Sequence, residues 1–209
     1  MKNSILTTIL ILGIAAGEFS CIAQAKMTKL QKKENYLINV ANSGMDSKQY
    51  DIAVEYYTKV LEINPQNAEA YAKRGNAKYL LGKYKDAVKD YTKALEIDPN
   101  RENAYYNRGL AKANLKAYDD VIEDYTKELE LNPNNINAYL NRGTTAVFLG
   151  KYDEAIKDFT SAIKLDENNI DAYYNRGIVK RNKKDYKGAI EDYTKVLQLD
   201  NDNVDAYNN

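Results

Sequence analysis

The chain has 209 residues, 44 % of them hydrophobic, enough for a substantial buried core. Its 30 basic and 30 acidic residues cancel without any long run of one sign, which excludes a nucleic-acid footprint and an electrostatic hold on an anionic membrane. Histidine and tryptophan are absent and Cys21 is the only cysteine, so no histidine base, no His/Cys zinc set and no internal disulfide can form. Only carboxylate chemistry is left open, and composition leans against an enzyme.

Residues 1–25 differ from the rest. Lys2 precedes an apolar run from Ile5 to Gly17, broken only by Thr7 and Thr8, and Ala23-Gln24-Ala25 stands just before Lys26. A basic start, a short apolar stretch and small residues at the minus-three and minus-one positions have the form of a secretory signal peptide cut after Ala25. The run is shorter than the roughly 20 apolar residues a membrane span needs. A second route is lipoprotein processing with a lipid anchor at Cys21, although Glu18 stands where a lipobox wants an aliphatic residue. The expected location is therefore exported, periplasmic or extracellular, with a membrane-attached lipoprotein as the alternative. The intact mass of the exported protein separates a start at Lys26 from an acylated Cys21.

After a short lead at 26–33, several residue series recur every 34 positions. Tyr71, Tyr105, Tyr139, Tyr173 and Tyr207 form one, and Gly75, Gly109, Gly143 and Gly177 another. Tyr57, Tyr91, Tyr125, Phe159 and Tyr193 form a third, and Pro65, Pro99 and Pro133 a fourth. Five units follow, at 34–67, 68–101, 102–135, 136–169 and 170–203, with 204–209 beginning a sixth. In the second unit Tyr71, Gly75 and Tyr79 share one face of a first helix. Ala87, Val88, Tyr91, Ala94 and Leu95 stripe a second helix, which Pro99 stops. One hairpin cannot bury both of its faces, so neighbours must stack.

The aromatic, glycine, alanine, aromatic, alanine and late proline at these spacings resemble the tetratricopeptide repeat family. The resemblance implies an all-α fold, a right-handed α-solenoid of helix-turn-helix repeats, and a non-enzymatic scaffold for protein partners. Three departures stand out: Leu37 and Ala41 replace tyrosine and glycine in the first unit, Val121 and Glu128 are large for their positions in the third, and Glu167 and Asn201 replace proline in the last two. The third unit is expected to make the loosest contact and the last two turns to be less sharply punctuated.

Arg74, Arg108, Arg142 and Arg176 each have an aspartate sixteen residues on, at Asp90, Asp124, Asp158 and Asp192; the first unit has Val40 and Tyr56 instead. Their joint presence and absence point to a bidentate ion pair between the two helices of one unit. Most of the 19 tyrosines recur at unit spacing and are expected to be core residues with a wet hydroxyl.

The concave wall is expected to carry Asn107, Asn141 and Asn175, with Tyr106, Leu140 and Tyr174 beside them and Lys73 interrupting the row. Amides both donate and accept, so such a row can hold the backbone of an extended peptide; it is similar to the asparagine ladder of O-GlcNAc transferase repeats. A carboxylate clamp is rejected, because Ala72, Asn137 and Asn141 stand where it needs cations and only Asn76 and Asn107 match. No catalytic residue, metal ligand or cofactor is expected. The function read from the chain is an interaction scaffold for a peptide or partner helix. Alternatives are an adaptor that delivers an envelope hydrolase and a self-assembling structural protein. The last hairpin, with Ala189, Ile190, Tyr193, Val196 and Leu197, is expected to leave apolar surface open for a homodimer contact.

Overall fold

The computed structural model describes residues 24 and 26–209, except 102. The proposed signal peptide and Cys21 lie outside the described residues. Among those described there is no strand, and no helix is long and apolar enough to cross a membrane. Helix α1 spans 26–46, so the lead at 26–33 is helical and continuous with the first unit. It is followed by α2 (Tyr50–Ile63), α3 (Ala68–Leu80), α4 (Tyr84–Ile97), α5 (Ala104–Asn114) and α6 (Tyr118–Leu131). Then come α7 (Ile136–Phe148), α8 (Tyr152–Leu165), α9 (Ile170–Asn182), α10 (Tyr186–Leu199) and α11 (Val204–Asn208).

Each helix packs on its neighbours in sequence, giving an α-solenoid of helical hairpins. First helices of successive units also touch, α3 with α5 and α7 with α9, whereas successive second helices do not approach as closely. The odd-numbered helices therefore line the inner, concave side and the even-numbered helices the outer one.

The helices of a unit meet at the glycine series. A Cβ on Gly75, Gly109, Gly143 or Gly177 would lie 2.8 Å from a ring carbon of Tyr91, Tyr125, Phe159 or Tyr193 respectively. These four rings and Tyr57 are buried, so the expected aromatic core is present. Val121 and Glu128, the bulky pair of the third unit, are fully buried too, and the Glu128 carboxylate accepts a bond of 2.9 Å from Asn135 Nδ2.

The turns between units do not depend on proline. Asn64, Asp98, Asn132, Asp166 and Asp200 each accept the backbone N–H two residues on, at 3.0–3.3 Å. This side-chain turn recurs whether proline, Glu167 or Asn201 follows, so the expected loosening of the last two turns does not occur. Asn67, Asn135, Asn169 and Asn203 then cap the next first helices through the N–H three residues on.

The turn inside each unit uses one left-handed residue, at Lys48, Gly82, Lys116, Gly150 and Lys184, with φ between 58° and 72°. Only glycine occupies that region without steric cost. Lys48→Gly, Lys116→Gly and Lys184→Gly are each expected to stabilise the fold by about 0.5–1 kcal/mol in thermal melts, and Gly82→Lys to destabilise it similarly. A lower melting temperature for Lys116→Gly would show that its side chain makes contacts worth more than the backbone strain.

The last hairpin is better covered than expected. Helix α11 is capped by Asn203, Ala206 is buried, and Asn209 Nδ2 donates to the Tyr174 hydroxyl at 3.1 Å. Ala189, Tyr193 and Val196 are buried, and of the five residues named above only Ile190 stays well exposed. A single turn of helix suffices because it has tertiary support, and isolated-helix marginality does not apply to it.

Candidate functional site

Two polar systems run through the repeats. The first is the arginine–aspartate series. Arg74 donates from Nε and Nη2 to the two Asp90 oxygens at 2.8 and 2.7 Å, and the other three pairs have the same fork geometry. The expected ion pair within each unit is thus present. Each arginine also donates from Nη1 to a threonine of the preceding unit: Thr58, Thr92, Thr126 or Thr160, at 3.0–3.1 Å. It lies over the tyrosine three residues earlier as well, 5.5–5.8 Å from the ring centre. In three units a lysine adds a second cation to the aspartate, at 2.7–2.9 Å: Lys78 on Asp90, Lys112 on Asp124 and Lys180 on Asp192. These contacts are structural.

The second system lines the concave groove at the first three units. Asn42 Oδ1 accepts from the Tyr57 hydroxyl at 2.6 Å and from Lys73 Nζ at 3.2 Å. Asn76 Oδ1 accepts from the Tyr91 hydroxyl at 2.8 Å and from Asn107 Nδ2 at 3.2 Å. Burial pushes the Tyr57 hydroxyl up to about 12 and raises those of Tyr91 and Tyr125, so these phenols stay protonated and can donate. Each amide oxygen has two donors, one from its own unit and one from the next. The NH2 groups of Asn42 and Asn76 are what the pair can offer to a ligand. Lys73 is also held by Glu69 at 3.0 Å, and that contact keeps the Glu69 carboxyl below its usual range.

Two cavities adjoin this network and share Met45 and Asn76. One of about 390 Å³ includes Asn42, Tyr57 and Lys73; the other, of about 250 Å³, is walled by Met45, Tyr79, Leu80 and Leu110. A donor-rich compartment therefore opens beside an apolar one, and a flexible methionine lies between them.

The asparagine row is placed unevenly. Asn107 spends an N–H on Asn76, and Asn141 donates to the Tyr106 hydroxyl at 3.1 Å. Asn175 follows Leu140, which has no hydroxyl, and makes no side-chain bond among the described residues. Tyr106, Leu140 and Tyr174 are half-buried, and Tyr174 accepts from Asn209. The structure thus joins Lys73 to Asn42 and Asn107 to Asn76 in two neighbouring clusters, and leaves Asn141 and Asn175 apart from both. Asn42 and Asn76 had a signal in the sequence: each lies fifteen residues before a core tyrosine, in adjacent units only. Leu110, Thr144 and Ile178 follow at that position, and the Tyr193 hydroxyl, opposite Ile178, is buried without a partner.

Among the described residues no cluster of His, Cys, Asp and Glu could hold a metal ion. The chain matches the TPR repeat family at residues 41–82, 75–116 and 148–183. With matches to tetratricopeptide repeat families at 102–135, 125–157 and 170–203, the matched residues run from 41 to 203. This chain belongs to the tetratricopeptide repeat family. A search of curated proteins gave no match. Among solved structures it is similar to YrrB, described as a TPR protein with an unusual peptide-binding site: identity is 27 %, the TM-score 0.75, and 82 % of this chain and 89 % of YrrB are covered. It has the same fold as a MamA protein, at 23 % identity and TM-score 0.78, covering 82 % of this chain and 93 % of that one. MamA from Desulfovibrio magneticus RS-1 aligns at 23 % identity and TM-score 0.77, over 82 % of this chain and 97 % of its own.

Proposed function

We propose that this tetratricopeptide repeat protein is a non-enzymatic scaffold that holds an extended segment of a protein partner in its concave groove, centred on the first three units. The carrying observation is the pair Asn42 and Asn76, whose oxygens are each filled by two internal donors. The amide nitrogens can then donate to peptide carbonyls spaced along an extended chain, irrespective of its sequence. An aliphatic side chain of the segment fills the compartment of Met45, Tyr79, Leu80 and Leu110. The likeness to YrrB, with its peptide-binding site, supports this reading. The features of residues 1–25 support an exported location for the scaffold.

Peptide display on the folded protein supplies a ligand for the test. Asn42→Ala and Asn76→Ala are each expected to weaken it about tenfold, the worth of one hydrogen bond left unmade. The triple variant Asn107→Ala, Asn141→Ala and Asn175→Ala is expected to weaken it less than the double variant Asn42→Ala, Asn76→Ala. Unchanged affinity in that double variant overturns the reading, and the reverse order of effects moves the site to the later units.

A further inference from the structure

A cleft of about 540 Å³ opens on the outer side of the fourth unit, between α6 and α8, over α7. Two replacements accompany it. Ala146 stands where the second, third and fifth units have Lys78, Lys112 and Lys180, and Ser161 stands where every other unit has a lysine. In those three units the first-helix lysine brings its ammonium to within 2.7–2.9 Å of Oδ2 of the paired aspartate. Asp158 keeps both bonds from Arg142 but gains no lysine, although it is only 6 % exposed and lines the cleft. A buried carboxylate is thus left one cation short at the place where three copies of the same arrangement put an ammonium.

We propose that the cleft receives a lysine side chain of a partner protein, its ammonium donating to Asp158 as Lys78, Lys112 and Lys180 donate to their own aspartates. Ile122, Tyr139 and Ala146 give the methylene stem an apolar wall. Lys151 and Lys157 stand among the lining residues, and among the described residues neither makes an ion pair. With Arg142 they outnumber Glu154 and Asp158, so a bare amine meets net positive charge. The lysine that fits is flanked on its own chain by acidic residues, which pair with Lys151 and Lys157. The site lies across the solenoid from the concave groove and is independent of it.

The test uses the full chain and two probes, the acetylated and amidated peptides Gly-Glu-Lys-Glu-Gly and Gly-Glu-Gln-Glu-Gly, followed by amide chemical-shift titration. The lysine peptide is expected to shift the amides around Ala146 and Asp158 and to bind at least about tenfold more tightly than the glutamine peptide. Ala146→Lys restores the chain's own ammonium and should abolish this response while remaining folded, since three sibling units already hold that lysine. Ala146→Met fills the cleft without charge and serves as the second variant. Equal binding of the two peptides, no binding of either, or undiminished binding to both filled variants overturns the proposal.

Discussion

Asp124→Leu is expected to destabilise the fold by about 3–5 kcal/mol, the usual cost of removing one member of a buried ion pair. The carboxylate is 1 % exposed and answers two cations, Arg108 through a fork and Lys112 at 2.9 Å. Its loss strands both, in a region too dry to solvate them well. Arg108→Leu is milder, about 2 kcal/mol, because Lys112 still neutralises Asp124. Arg142→Leu restores the full cost of about 3–5 kcal/mol, because Ala146 supplies no substitute and Asp158 is left alone. The double variant Arg108→Leu, Asp124→Leu regains much of the loss, as the apolar Val40 of the first unit suggests. Denaturant melts measure all four. If the losses of Arg108→Leu and Asp124→Leu simply add, the groups are uncoupled; equal costs for Arg108→Leu and Arg142→Leu would remove the role given to Lys112.

Phe159→Ala is expected to cost about 3–5 kcal/mol and to break the solenoid into separately melting parts. The ring is buried against Gly143 and belongs to one cluster with Ala146, Ala155 and Val179, flanked by Ile122 and Leu140. It thereby binds elements of the third, fourth and fifth units at one point. In an array whose units touch only their neighbours, such a hole weakens both adjoining interfaces while the distant hairpins keep theirs. Hydrogen exchange should find α2 to α4 still protected where α7 to α10 are not. A uniform loss of protection along the chain would mean that the solenoid melts as one cooperative block.

The hairpins were legible because period, small residues and aromatics all point to the same helix contacts, and each contact is local to a unit. The arginine–aspartate pair was legible for a different reason: the first unit lacks both members, and that contrast names partners sixteen residues apart. Thr58, Thr92, Thr126 and Thr160 carry no such contrast, since a threonine occupies the position in every unit, and their bonds to the arginines emerge only in three dimensions. The second cation on the aspartates was hidden by Ala146, which breaks the lysine series at one unit. The asparagine row is legible from its 34-residue spacing, but the shared hydrogen bonds at Asn42 and Asn76 are not. Which amides converge depends on the hydroxyls beside them: Tyr57 and Tyr91 orient Asn42 and Asn76, whereas Tyr106 takes Asn141 out of the row. Proline was read as the turn signal, while the Asx side chain just before it makes the turn whether or not proline follows.

The arginine bonds to threonine all run the same way, from a first helix back to the second helix of the preceding unit, and always to the same atom type. The coupling between units is therefore a standard joint, with a matching half at either side of every hairpin after the first. Excision of residues 102–135 would set Arg142 over Thr92 and leave its fork on Asp158 untouched; duplication of the same stretch would add one more joint of the same kind. Recombination between repeats can in this way lengthen or shorten the groove in steps of one hairpin, without any compensating change in the buried charges.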